Sequence, residues 1–481
     1  MKTPLLFLLA GIFPLALALH AQEPADDGAQ AAELLEEDAA LEAAVEVPAP
    51  EAAAEMPADN TELATFVRGV VKDMGRLPPA YGGRGEGAFH DSMGIVQIAK
   101  NFLRVKDPAA ADQTPGWKYI VMMCVGLFLM YLAIHKKVEP LLLLPLSFGI
   151  LIANLPMAGL SAYDDGCLMN IIYTGIRRVL YPPLIFLCLG AMTDFAPLIA
   201  NPRIAIIGIG GQLGIFVALV LSYYASRWIG VDIIDPFTWK QAASTGIIGS
   251  SDGPTSVLTA SILAPEMLAA IAIAAFSYMA LVPFIQAPLM RLMTTNKERV
   301  IVMPHPKEVT RRQKILFPIG LTIVTLLLVP AASPLISMLM LGNIIRESGV
   351  VERYVKALTH DLLSILTMLV ALSIGSSAKA EYFLTPTTLL IITCGLLAFI
   401  FGTIGGLASA KILCVATGGK INPLIGNSGV SAMPMAARIS QKLGQQYNPQ
   451  NFLLMHAMGP IVASTIGSAV VAGILLTLFN K

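Results

Sequence analysis

Thr245-Gly-Ile-Ile-Gly-Ser-Ser-Asp-Gly-Pro-Thr255 and Gly418-Gly-Lys-Ile-Asn-Pro-Leu-Ile-Gly-Asn-Ser-Gly-Val-Ser-Ala-Met-Pro434 are two Gly- and Pro-rich stretches set within long apolar surroundings. They lie about 170 residues apart, one in each half of the apolar region. Inside a bilayer every backbone N–H and C=O must be paired, so a cluster that breaks a helix there needs a compensating use. Paired interruptions at matching places in two halves are the sequence mark of a transporter substrate site, because unwound backbone frees carbonyls and half-helix ends to face one point. An ordinary extramembrane turn also uses Gly-Pro and Asn-Pro. Asp252, however, has no basic residue within ten positions, and both clusters are closely flanked by apolar sequence.

Outward from these breaks, apolar segments recur at about 117–135, 138–156, 179–192, 204–224, 266–290, 316–346, 362–377, 387–405 and 452–479, with the broken stretches at 242–263 and 407–437. Of the 481 residues 55% are hydrophobic and 13% charged, about half the charged share of a soluble domain. The expectation is an all-α polytopic membrane protein. Roughly ten to twelve crossings or part-crossings are anticipated, in two inverted repeats with broken helices and an elevator-like transporter architecture. The repeats fall at 117–290 and 316–481, joined by a basic loop over 291–315.

The net charge of zero is a cancellation. Glu23 to Asp59 holds twelve acidic residues and no Lys or Arg, whereas the chain beyond carries 31 Lys and Arg against 20 Asp and Glu. Residues 1–21 read as a signal peptide, with Lys2, an apolar run from Leu5 to Leu19 and small residues after it; a retained first span would be short at that length. Residues 22–59 read as a disordered acidic segment, and 60–116 as a periplasmic or interfacial stretch with an amphipathic piece near Met93–Val105. His135-Lys136-Lys137 after the first span and seven Lys and Arg in Arg291–Lys314 mark the cytoplasmic side, which leaves the N-terminus periplasmic. The five cysteines are scattered, so a disulfide or Cys-based metal framework is not expected.

Asp252, Thr255, Asn422, Ser431 and freed carbonyls offer the oxygen ligands that a hard cation such as Na⁺ prefers, by analogy with hard divalent ions. Two residues stay open on position alone. Tyr278 either joins this site or bonds a neighbouring helix. Arg438 either recognises a carboxylate bidentately or anchors the cytoplasmic face.

The same residues carry a resemblance. Gly190-Ala-Met-Thr-Asp-Phe-Ala-Pro-Leu-Ile-Ala-Asn-Pro202, Gly246–Thr255, Ser277-Tyr278-Met279, Asn422–Arg438 and Met458-Gly459-Pro460 together resemble the β-subunit of sodium-pumping biotin-dependent decarboxylases, of which oxaloacetate, methylmalonyl-CoA and glutaconyl-CoA decarboxylases are members. The resemblance covers about 117–481. It implies decarboxylation of carboxybiotin coupled to Na⁺ export across a bacterial inner membrane. Asp252 is then the Na⁺-linked carboxylate, with Thr255, Asn422, Gly426 and Ser431 as further Na⁺ positions. Tyr278 and Ser431 join Asp252 in catalysis, and Arg438 contacts carboxybiotin. Implied partners are a carboxyltransferase/biotin carrier subunit and a small membrane γ-type subunit, in a homo-oligomeric complex (a trimer), with no nucleic acid. Two positions depart from the family pattern: Ser250-Ser251 stands where Gly-Ala or Gly-Gly is common, and Ile461 where an Asn often follows Met-Gly-Pro.

The chain has no Met-Lys-Met biotin-attachment sequence, so any biotin arrives on another polypeptide. The physical reading alone also fits a stand-alone cation/proton antiporter or Na⁺-coupled symporter, or a non-transporting scaffold. The family motifs favour the decarboxylase subunit.

Overall fold

The computed structural model describes residues 116–480, apart from 138, 156–158, 165, 231–232, 305–307 and 433–434. The leader, the acidic segment and the stretch up to residue 115 lie outside the described residues. Among the described residues every regular element is helical. The main helices are α1 (Gly116–His135), α2 (Pro140–Asn154), α3 (Leu168–Arg177), α4 (Tyr181–Met192), α5 (Ala205–Gly211), α6 (Leu213–Trp228), α7 (Trp239–Gly246), α8 (Gly253–Leu263) and α9 (Leu268–Met293). They continue with α10 (Arg311–Leu328), α11 (Ser333–Ser348), α12 (Leu363–Ser377), α13 (Pro386–Ala416), α14 (Met435–Tyr447) and α15 (Leu454–Phe479).

Five stretches are long and apolar enough to cross a bilayer: Trp117–His135, Pro202–Trp228, Glu352–Ser377, Pro386–Ala416 and Leu454–Phe479. Counting α3 with α4, and the two bent halves of Pro265–Met293, as single spans gives seven. Fewer elements than the anticipated ten to twelve meet that test. One reason is length: α2 has 15 residues, about 22 Å at helical rise against a core of roughly 30 Å.

The second reason is that both broken segments fold back as hairpins. In hairpin 1, α7 begins in a capping box between Thr238 and Gln241 and ends in a 3₁₀ turn, Ile247–Ser250. The chain then reverses, and α8 returns. Gln241 Nε2 donates to Glu266 Oε1 at 2.9 Å, so entry and exit lie together. In hairpin 2 a seven-residue 3₁₀ turn, Pro423–Gly429, leads to the tip and α14 returns. Its entry and exit meet on one carbonyl: Arg299 O accepts from Asn422 Nδ2 at 3.1 Å and from Asn451 Nδ2 at 3.0 Å.

The open end of hairpin 1 lies beside the start of α9, and that of hairpin 2 beside its end, at the two ends of a 26-residue helix bent by 57°. The hairpins therefore enter from opposite ends, and their tips meet: Ser431 N–H donates to Ser250 O at 2.9 Å. Close crossing of α5–α6 with α13 makes room for both. A Cβ on Gly249 would stand 2.4 Å from the carbonyl carbon of Gly214, and one on Gly429 would stand 2.6 Å from Ile207 O and 2.9 Å from Gly406 Cα. Small residues let backbones approach closely where helices meet in a membrane.

A candidate cation site at two hairpin tips

Asp252 is the N-cap of α8. Oδ2 accepts from Thr255 Oγ1 at 2.7 Å and from Ser468 Oγ at 2.8 Å, and Oδ1 accepts a long bond from Thr255 N–H at 3.4 Å. The side chain is 4% exposed. No Lys or Arg pairs with it among the described residues. A carboxylate has about four lone-pair sites, so three donors leave capacity for a cation. An uncompensated buried charge is costly, which favours a bound counter-ion or a proton.

Two further acceptors point the same way. Ser251 Oγ and Gln212 Oε1 are buried and have no hydrogen-bond partner among the described residues. Ser251 also holds a left-handed backbone, φ 56°, unusual for a side-chain-bearing residue. Gln212 interrupts α5 and α6, and its amide nitrogen donates to Ser464 Oγ at 3.0 Å and Ser464 O at 3.1 Å. Ser464 Oγ in turn shares a 3.0 Å bond with Ser431 Oγ. Ser464 and Ser468 are one turn apart on the same face of α15. That face thus ties hairpin 2 through Ser431 and hairpin 1 through Asp252.

The structure brings Asp252, Thr255 and Ser431 into this one polar cluster, and does not bring the other sequence candidates there. Asn422 sits at the far end of the Pro423–Gly429 turn, about 14 Å of 3₁₀ rise from the tip. Its amide donates to Arg299 O and Ile301 O, and its Oδ1 accepts from Leu424 N–H at 2.9 Å. Gly426, midway, packs on Leu407 Cα, where a Cβ would stand at 2.6 Å. Tyr278 is buried in α9, and its hydroxyl donates to Ile392 O of α13. Arg438 is exposed in the first turn of α14.

Sequence reasoning passed over Gln212, Ser464 and Ser468. Their signal was a lone amide in a Gly-rich apolar run and two serines spaced i, i+4 in a 26-residue apolar helix.

Around Arg438 the exposed face of α14 forms an open groove of about 440 Å³, lined by Arg438, Gln441, Lys442, Gln445, Gln446 and Leu454. The opposite face of α14 is buried and fixed: Asn427 Nδ2 donates to Ala436 O at 2.8 Å and to Gln286 Oε1 at 3.1 Å, while Ser440 Oγ donates to Asn427 Oδ1. Glu139, at the corner before α2, feels Arg438. Burial pushes its carboxyl above the usual range, and the guanidinium pulls it part of the way back.

The family model of the Na⁺-transporting oxaloacetate decarboxylase beta subunit matches residues 118–479. The chain belongs to that family. It is similar to the methylmalonyl-CoA decarboxylase subunit beta of Veillonella parvula, 51% identical over 361 residues, covering 75% of this chain and 93% of the relative. It is 50% identical over 362 residues to the glutaconyl-CoA decarboxylase subunit beta of Acidaminococcus fermentans, with the same coverage. With the oxaloacetate decarboxylase beta chain of Klebsiella pneumoniae it shares 44% identity over 410 residues, 74% of this chain and 94% of that one. All three are named as decarboxylase subunits with three different substrates. The expected family is therefore the right one, and the protein is a membrane protein with several apolar helices.

Proposed function

We propose that this β-subunit releases CO₂ from carboxybiotin delivered by a separate carrier and uses the free energy to move Na⁺ outward across a bacterial inner membrane. The observation that carries this reading is Asp252, a buried carboxylate with no cationic partner among the described residues, set where two hairpin tips meet and beside two buried oxygens that have no hydrogen-bond partner among those residues. Na⁺ is the transported substrate. Asp252, Thr255 and Ser431, with Ser251 and Gln212 beside them, are the oxygens available to it. The named relatives are decarboxylase subunits, which supports this reading over a stand-alone antiporter or symporter.

Carboxybiotin reaches Arg438 from the cytoplasmic side, where the basic 291–315 loop lies and the N-terminus is opposite. When the N–CO₂⁻ bond breaks, its electron pair stays on the ureido nitrogen, which takes a proton. Asp252 holds either a proton or Na⁺, so a proton that passes through it on the way to the freed nitrogen displaces the cation. Tyr278 braces α9 against α13 beside this step, and Asn422 and Gly426 seat hairpin 2. The hairpins opposed from two ends fit inverted repeats and an elevator-like movement of the tip-bearing core. The carrier and carboxyltransferase are partner subunits, with a γ-type subunit and a trimeric complex by resemblance.

The test is carboxybiotin-dependent ²²Na⁺ uptake by inverted membrane vesicles. Asp252→Asn abolishes it while the protein still assembles. Uptake that proceeds equally well without a biotin partner overturns the reading.

A further inference from the structure

The groove on α14 has a chemical polarity of its own. Residues 438, 441, 442, 445 and 446 share one helix face by their i, i+3, i+4, i+7 and i+8 spacing. Two of the glutamines are oriented by bonds that use their oxygen atoms. Leu454 N–H donates to Gln441 Oε1 at 2.8 Å, and Arg291 Nη2 donates to Gln446 Oε1 at 3.2 Å. A backbone N–H and a guanidinium can only donate, so each assigns the amide oxygen to that bond and leaves the NH₂ without a bond among the described residues. Arg438 and Lys442 are donors only. The lining residues include no carboxylate, and Glu139, outside that lining, is near enough to Arg438 to interact with it electrostatically.

We propose that Gln441 and Gln446, with Lys442, complete the carboxybiotin site begun by Arg438, forming a donor-rich groove that holds the carboxylated ureido ring and releases the decarboxylated one. This rests on the function proposed above and adds the basis of its substrate-over-product selectivity. The carboxylated ring presents three oxygens and one N–H. Loss of CO₂ removes two of those oxygens and their charge, and the proton taken up turns the freed nitrogen into a second N–H. The groove matches the first pattern and mismatches the second. Arg438 to Gln446 spans about 12 Å of helix. The ring then sits at the Arg438 end, nearer the tips, with the tether leaving toward Gln446.

Gln441→Glu and Gln446→Glu test this, since each keeps the oxygen that Leu454 N–H or Arg291 requires and replaces only the outward donor. With the full-length chain in its native complex and free carboxybiotin as substrate, each variant raises KM about tenfold, as expected for a lost hydrogen bond to a charged group. The kcat and the Na⁺ concentration for half-maximal rate stay within about twofold, and inhibition by free biotin changes by less than the KM. Gln450→Glu, which adds the same charge to exposed chain outside the groove, leaves KM unchanged. Unchanged KM in both groove variants, or an equal weakening of biotin and carboxybiotin, overturns the donor groove. A wild-type complex that never turns over carboxybiotin overturns the proposed function instead, and this inference with it.

Discussion

Hairpin 1 and hairpin 2 share a frame and differ in chemistry. Gly249-Ser-Ser-Asp-Gly-Pro254 aligns with Gly429-Val-Ser-Ala-Met-Pro434. Each follows a 3₁₀ turn, each lays its glycine on the α5–α6 and α13 crossing, and each is followed by a 26-residue helix, α9 or α15. Yet Asp252 faces Ala432 in the alignment, and its hydroxyl partner Thr255 faces Met435. In return, hairpin 2 carries an exposed cationic groove on its outgoing helix. The doubled scaffold thus separates two opposite charges: a buried carboxylate on one tip and exposed cationic donors beyond the other. A device that couples an anionic substrate to a cation needs both, held apart and mechanically joined.

Moving the carboxylate across the tips is the harshest test of that division. Asp252→Ala combined with Ala432→Asp keeps the charge count and reverses the hairpin that carries it. With no Thr255 equivalent to cap it, the new carboxylate lacks its donor. Na⁺ uptake stays at least about 100-fold below wild type, near 2.8 kcal/mol. The thermal midpoint falls too, because an unpaired buried charge destabilises. Uptake within tenfold of wild type would mean that the tips are chemically interchangeable.

The shared frame predicts the reverse outcome, equality. Gly249→Ala and Gly429→Ala each force a methyl into backbone at under 3 Å. Each loses about 1–3 kcal/mol, the usual cost of overpacking, read as similar drops in thermal midpoint in detergent. One neutral variant beside one destabilised variant breaks the structural equivalence.

Much of this was legible in the chain before the fold was known. The apolar segments and the two breaks mark a membrane protein with a doubled site, and Asp252 stands out as a lone carboxylate. The hairpins were not legible, because Gly-Pro breaks read alike for a turn, a broken crossing helix and a fold-back. The deciding contacts, Gln241 with Glu266 and two asparagines on Arg299 O, are long-range. Asn422 looked like a cation ligand by residue type, but its side chain already serves two carbonyls and one N–H. Ser464 and Ser468 were hidden for the converse reason. A serine in an apolar helix commonly bonds its own backbone, and the single O–H of Ser468 is shared between Thr465 O of its own helix and Asp252 Oδ2.

Those two serines give the finest comparison of the hairpins, since one helix serves both. Ser468 donates to the carboxylate of hairpin 1, and Ser464 meets only the neutral hydroxyl of Ser431 and the amide of Gln212. A bond to a charged group is worth about 1.5–3 kcal/mol and a neutral one about 1. Ser468→Ala therefore raises the Na⁺ concentration for half-maximal uptake about tenfold, and Ser464→Ala about threefold to fivefold. The order follows from the charge each hydroxyl meets: Ser468 orients a carboxylate oxygen available to the cation, so its loss weakens the site more than loss of a neutral bond does. Equal deficits would place the cation between the tips rather than on hairpin 1.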